Sequence, residues 1–351
     1  MMLALGIALA TVVLLFLSGL LYQWIGGWRD RKRLIGGGRL VDIGGGRQLY
    51  VIERGQGGPS VVFESAFGAT SLNWMEIQEA LAEKVHTVAY DRCGLGWSSE
   101  AVSERTPRQI ADELRRLLGA MGVPRPWILV GHSFGGLVMQ RFALHYPDET
   151  AGVVLLDPMR TEEWPPVNPA QRGRLERALR LTKLGEHCSR LGLTRLAARS
   201  HLCGSRRLSG WLIRLAGARG EYLAGRLDAE ISKMPARVRP SIAAHWSTPR
   251  FYRGLRAHLR AVPATVVEMH AAEPIRAAPV VVITPGNPRP MAELERFGPR
   301  NKQIVARDSG HWVHLDEPEL VIRTILDLVE RVRAGERTSA ASGAVLQGAD
   351  S

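Results

Sequence analysis

The pattern of apolar and polar positions changes character along the chain. Residues 3–25 read LALGIALATVVLLFLSGLLYQWI and contain no charge. A helix of that length covers a ~30 Å hydrocarbon core. Tyr22, Trp24 and Trp28 lie at its far end, where an interfacial aromatic belt belongs, and Arg29, Arg31, Lys32 and Arg33 accompany them. Beyond the glycine runs at 36–38 and 44–46, short β-branched stretches take over. Residues 48–54, 60–63, 85–90, 126–130, 152–156, 280–284 and 302–305 read as strands. Residues 109–121, 135–146 and 317–332 carry apolar side chains at helical spacing. Such alternation predicts a mostly parallel sheet covered by helices on both faces.

Residues 159–274 break this rhythm. Leu and Arg recur there at spacings of three and four, and a short strand-like stretch comes only at 264–267. The block reads as a helical insertion. The expected organisation is an anchor and flank over 1–28, a first core segment over 29–157, a helical lid over 158–275, a second core segment over 276–333 and a disordered tail over 334–351. The two triple-glycine runs bracket residues 40–43 and read as turns of a first hairpin, since no Gly-Lys-Ser/Thr follows to make a phosphate loop.

Charge refines this picture. The 351-residue chain carries a net charge of +12, and 41 of its 46 basic residues are Arg. Residues 160–265 hold 21 basic and 7 acidic side chains, a net of +14, so the remainder sums to −2. A basic block either dresses solvated helix faces or attracts anionic lipid, nucleic acid or acidic substrate. No zinc-finger, RRM-like or homeodomain-like pattern accompanies it, so nucleic acid is not expected. The apolar N-terminal run lacks basic residues before it and a small-residue cleavage site after it. It therefore reads as an uncleaved single-pass anchor rather than a signal peptide, a buried core helix being the alternative. The positive-inside rule places the following domain on the cytoplasmic side. Three cysteines, Cys93, Cys188 and Cys203, form no C-x-x-C pair. They read as buried or free thiols, with a Cys188–Cys203 disulfide left open.

The sharpest chemical signal is Gly131-His132-Ser133-Phe134-Gly135-Gly136. It follows the strand pattern at 127–130 and opens the helical pattern after it, the setting that a G-x-S-x-G nucleophile turn requires. A turn so tight leaves no room for side chains at its flanking glycines. It lifts the serine hydroxyl above the sheet at a helix N-terminus, where developing negative charge is favoured. His132 points the other way and reads as structural. Two further stretches stand out: Tyr90-Asp91-Arg92-Cys93-Gly94-Leu95-Gly96-Trp97-Ser98, and Ser309-Gly310-His311-Trp312-Val313-His314-Leu315-Asp316-Glu317-Pro318.

On these three motifs the chain resembles the α/β-hydrolase superfamily over roughly residues 40–157 and 276–333. The resemblance implies an α/β-hydrolase fold with a helical lid and a serine-hydrolase or esterase-like activity. It makes Ser133 the nucleophile and His311 the base, with His314 the nearest rival. Most relatives carry the acid after the seventh strand, but here residues 284–290 read TPGNPRP, without a carboxylate. Asp157, which ends the sixth strand pattern, is the candidate acid, as in branches of the family that place it there. Capping of the first lid helix is its alternative reading, and Asp91 is a rival that reads as paired with Arg92. The oxyanion hole falls to the N–H groups of Phe67 and Phe134, Ser65-Ala66 replacing the usual His-Gly. Tyr90-Asp91-Arg92 would buttress that region.

The expected function is hydrolysis of carboxylic esters, lipid-like esters among the candidates, through an acyl-enzyme, with no metal or organic cofactor. A small-molecule ester and the membrane are the expected partners. Amide, peptide or carbon–carbon hydrolysis on the same triad is the alternative within enzymes, and a non-catalytic binding protein is the alternative outside them. Epoxide hydrolysis is disfavoured, because those relatives use Asp as the nucleophile.

Overall fold

The computed structural model describes residues 1–34, 37–202, 232–287 and 289–335. An eight-stranded sheet organises the chain: β1 Arg39–Asp42, β2 Gln48–Arg54, β3 Val61–Glu64, β4 Thr87–Tyr90, β5 Trp127–His132, β6 Thr150–Leu156, β7 Val280–Pro285 and β8 Asn301–Ala306. Its spatial order is β1-β2-β4-β3-β5-β6-β7-β8. The β1–β2 and β2–β4 pairs are antiparallel, and every later pair is parallel. Gly44, Gly45 and Gly46 all adopt positive φ and turn β1 into β2, so the second glycine run is a hairpin turn. Gly36 lies outside the described residues.

The central strands β3 to β6 are buried at every position and mostly apolar because both faces are covered. Leu129, Val153 and Val282 face Leu114, Leu117, Met139 and Phe142, which belong to the helices Pro107–Ala120 and Phe134–His145. Ile128, Val130, Val154 and Ile283 face Ile77, Leu81, Ile325 and Leu328 on the other side, from the helices Met75–Leu81 and Pro318–Arg333. Alternate residues of one strand thus feed two separate cores.

Between β6 and β7 the described chain is helical, with helices at Arg172–Arg190, Leu193–Leu202, Arg239–Trp246, Pro249–Arg260 and Val262–His270. The stretch 264–267, strand-like in sequence, lies inside the last of these. Pro263 opens that helix, and Val262, Val266 and Met269, spaced four and three apart, enter an apolar cluster with Phe134 and Leu137. Cys93 is buried and Cys188 half-buried, both as thiols. Cys203, and with it the possible pairing, lies outside the described residues, as does the tail from 336.

The N-terminal helix runs from Met2 to Leu34, past the apolar stretch. Its first half is exposed and apolar, and one helix, Met2–Lys32, is long and apolar enough to cross a membrane. Its second half docks on the inserted helices. Gln23 is buried, donates to the Ser247 carbonyl at 3.1 Å and accepts from Arg195 Nε at 2.9 Å, while Arg195 also pairs with Asp30. A Cβ on Gly26 would lie 2.6 Å from the Arg195 side chain, so a larger residue there would displace the guanidinium arm.

One largely buried group of three side chains ties the hairpin to the helix Pro107–Ala120. The Arg105 guanidinium is fully buried and grips Glu113 by two parallel bonds of 2.9 and 2.8 Å, and Arg47 adds a third at 3.0 Å. Removing the carboxylate strands two cations, one of them without water. Glu113→Ala is expected to lower unfolding stability by about 3–5 kcal/mol, read as a shift in the urea midpoint. Glu113→Gln, which keeps part of the bonding, should cost less.

Candidate active site

Ser133 stands at the C-terminal end of β5, in the turn to the helix Phe134–His145. Its φ of 55° and ψ of −118° are a conformation that L-residues avoid. Three backbone bonds hold it there. Ser133 N–H donates to the Leu156 carbonyl at 3.0 Å, and the Ser133 carbonyl accepts from Gly136 N–H at 2.9 Å and Met159 N–H at 3.1 Å. The glycines serve close approach. A Cβ at Gly131 would lie 2.5 Å from the Gly135 carbonyl oxygen, and one at Gly135 would lie 2.4 Å from that of Glu64.

Asp157 follows β6, the strand beside β5, and also has positive φ, at 38°. Its Oδ2 lies 2.7 Å from His311 Nδ1, in the loop after β8. Its Oδ1 accepts from Arg289 at 2.9 Å, and the same guanidinium nitrogen donates to the Pro158 carbonyl at 2.8 Å. Asp157 makes no cap bond to a helix. The first short helix after it, Thr161–Glu163, has Arg160 at its N-cap position. Burial works against the Asp157 carboxylate, but the hydrogen bonds and charges of His311 and Arg289 outweigh it and hold the carboxyl below its ordinary range. Arg289 stands in the segment where relatives carry the acid. Its role was missed in the sequence, where the absence of a carboxylate drew attention and the cation beside it did not.

The His311 loop is tied at both ends. Asp316 Oδ2 accepts from Gly310 N–H at 2.9 Å, and Asp316 Oδ1 pairs with Lys233 at 3.0 Å. His132, the residue before the serine, places Nε2 2.7 Å from the His311 carbonyl oxygen. That acceptor requires Nε2–H. Burial, then the neighbouring His314 and His311, keeps the His132 imidazole far below its ordinary pKa and neutral. Ser133 Oγ makes no hydrogen bond to His311 among the described residues, so the structure joins His311 directly to Asp157 and joins the serine's turn to the His311 loop through His132. His314 is buried and stacked on Trp74 with ring centroids 4.4 Å apart. Burial pushes it down to about 3, and it makes no hydrogen bond among the described residues.

Phe67 and Phe134 stack with centroids 4.3 Å apart, which brings the loop after β3 against the nucleophile turn. Neither backbone N–H donates to a protein acceptor among the described residues. Phe134 opens its helix, where such donors have no intrahelical partner. The segment expected to buttress this loop is buried beneath it, with partners that differ from the expected ones. Arg92 donates to the Ala66 carbonyl and lies 3.5 Å from Glu64, which also accepts from Tyr90 Oη. Burial raises the Glu64 carboxyl and lowers the Arg92 guanidinium, each opposed by the other's charge. Asp91 is not paired with Arg92. Its oxygens accept from Ser71 N–H and Oγ, both at 2.8 Å, and from Trp97 N–H at 2.9 Å. Those three bonds close the loop on the Asp91 carboxylate.

A cavity of about 370 Å³ adjoins the site, lined by Phe67, Ile242, Trp246, Phe251, Leu255 and Trp312 among others. Its walls are mostly apolar, with Phe67 stacked on Phe134, next to Ser133, and Trp312 following His311 in the chain. Among the described residues no group of three or more His, Cys, Asp or Glu side chains is placed to hold a metal.

Comparison with known proteins bears on the family and the fold. The uncharacterized protein YqjL of Bacillus subtilis (strain 168) is 33% identical over 105 residues, 30% of this chain and 42% of that protein. The putative carbamate hydrolase RutD of Cronobacter turicensis is 34% identical over 102 residues, 29% of this chain and 38% of the relative. The chain thus spans less than half the length of these curated relatives. A solved structure of a thermophilic esterase from Thermogutta terrifontis, with malate bound, has the same fold, with a TM-score of 0.58 and 20% identity over 84% of this chain and 98% of that one. A profile described as "Alpha/beta hydrolase family" matches residues 61–324, most of the chain and all of the sheet from β3 to β8, and the chain belongs to that family.

Proposed function

We propose that the protein is a membrane-anchored serine hydrolase that cleaves carboxylic esters. The observation that carries this reading is the 2.7 Å contact between Asp157 Oδ2 and His311 Nδ1, at the sheet edge where Ser133 is held in a strained turn. With Nδ1–H given to Asp157, His311 Nε2 is left as a base. It takes the proton from Ser133 Oγ as the oxygen attacks the ester carbonyl carbon. The N–H groups of Phe67 and Phe134 receive the oxyanion. As the carbon–oxygen bond to the alcohol breaks, the alcohol leaves with the proton from His311, and an acyl group stays on Oγ. Water then gives a proton to His311, attacks the acyl carbon and releases the acid, and the proton returns to Oγ. The serine–histidine contact is open in the free protein, as such contacts often are, and closes when substrate enters.

The apolar cavity suits an acyl chain, and the inserted helices act as its lid. The helix Met2–Leu34 is the single-pass anchor, and the Arg29–Lys32 flank favours a cytoplasmic domain. Amide or carbamate cleavage on the same residues is the second reading, favoured by the likeness to the putative carbamate hydrolase. Parallel assays of esters and amides with matched acyl groups decide between them. Failure of a fluorophosphonate probe to label Ser133 would replace both with a non-catalytic binding protein.

Three outcomes are expected. Ser133→Ala abolishes both labelling and ester turnover. Asp157→Asn lowers kcat about 10³–10⁴-fold and leaves a measurable rate, because the oxyanion donors survive. Arg289→Ala raises the Asp157 pKa. Because that carboxyl is held low in the fold, its stabilising contribution is present at neutral pH and lost as pH falls through the folded-state pKa. In Arg289→Ala that contribution is smaller, so less stability is lost between neutral pH and the acid side of the folded-state pKa. Urea midpoints across that range read the shift, and Asp157→Asn should remove the difference between the two backgrounds.

A further inference from the structure

A second cavity, of about 420 Å³, opens where the anchor helix meets the catalytic domain. Trp24, Trp28 and Arg31 of the helix form one wall, and Trp97, His245 and Arg250 form the other. Its position along the helix is the end of the apolar run, where tryptophans mark the membrane–water boundary.

The charge inside it is unbalanced. Among the described residues neither Arg31 nor Arg250 has a carboxylate within ion-pair distance; Arg250 donates only to the Gly96 carbonyl, at 2.8 Å. The nearest acids are engaged elsewhere. Asp91 accepts from Ser71 and Trp97, and Glu100 pairs with Arg253. Burial first, and then the charge of Arg31, pushes the Arg250 guanidinium below its ordinary pKa. Two like charges facing one lumen attract an anion.

His245 also lines the apolar cavity beside the active site. Its Nε2 accepts from Gly96 N–H at 3.3 Å, and burial, then Arg250, pushes it down to about 3, so it is neutral. The partition between the cationic chamber and the apolar one is therefore an uncharged ring, past which a hydrocarbon chain moves without an electrostatic barrier. A soluble acid would need the two arginines but not the wall of exposed tryptophans on a membrane-crossing helix. A lipid uses both.

We propose that this cavity is the portal by which an anionic acyl lipid leaves the bilayer, its headgroup charge held between Arg31 and Arg250 and its chain passing His245 into the apolar cavity beside Ser133. The inference rests on Ser133 being the acyl-transfer nucleophile and adds the substrate class, esters of lipids with an anionic headgroup.

The test uses the full chain with vesicles of phosphatidylcholine doped with phosphatidylglycerol, and measures acyl release from each lipid as a ratio within each variant. Arg31 is exposed and makes no hydrogen bond or ion pair among the described residues, so Arg31→Glu should fold as the parent does; Arg250→Gln is the second variant. The wild type should prefer the anionic lipid about tenfold, the factor a single charge-assisted contact supplies. Arg31→Glu and Arg250→Gln should each bring the ratio toward one while Ser133 still reacts with fluorophosphonate. A ratio unchanged in both variants, with Ser133 still labelled, overturns the portal and leaves the esterase reading standing. Loss of labelling in the wild type overturns both. Arg31-dependent inhibition of a water-soluble ester by glycerol phosphate, without lipid selectivity on vesicles, would assign the site to a free phosphate ester and overturn membrane delivery.

Discussion

The constraint on which the rest depends is the backbone of one residue. Ser133 occupies a conformation with φ of 55° that costs of order 1–3 kcal/mol, and the surroundings leave it no other. Its N–H and carbonyl are bonded to chain on both sides, from Leu156 to Met159. The approach of Gly131 to Gly135, and of Gly135 to the end of β3, excludes any side chain that would let the turn relax. The strain is stored at the one point where a hydroxyl has to face open space rather than the sheet. Everything chemically relevant is then measured from that oxygen: the two stacked phenylalanines with their spare N–H groups, the imidazole loop, and the carboxylate on the next strand.

The acid shows how such a constellation tolerates rearrangement. β6 neighbours β5, so a carboxylate at the end of β6 reaches the same imidazole that relatives approach from beyond β7. The vacated segment is not idle, because it supplies Arg289, which binds both Asp157 and the Pro158 carbonyl. A cation there does by attraction what position alone would not, keeping a partly buried carboxylate ionised. Under the loop after β3 the buried Arg92 lies 3.5 Å from Glu64 and holds the Ala66 carbonyl, although burial there still raises the Glu64 carboxyl.

How much of this could be read from the sequence follows from range. Strands buried on both faces announce themselves as continuous apolar runs, so β2 to β8 were legible to within a few residues. Ser133, Asp157 and His311 each sit in a local motif that specifies the turn around it. The stretch 264–267 misled because four β-branched or small residues resemble a strand until their helical neighbours at 262 and 269 are counted. Arg289, Asp316 and the partners of Arg92 were not legible, since each acts on a residue distant in the chain and only the fold sets which charge meets which. The docking of the anchor helix was hidden for the same reason: a membrane span looks complete by length alone, and nothing at Gln23 or Gly26 announces a partner near residue 195.

That docking has a mechanical consequence. A helix that continues unbroken from its apolar half into contacts with Arg195 and Ser247 is a strut rather than a tether. With its first half in a bilayer, as proposed above, the domain would not swivel, and any tilt imposed on the helix would pass to the inserted helices. Under that proposal its search for substrate would be lateral, with one face always turned to the lipid, and local thickness and curvature would enter its kinetics.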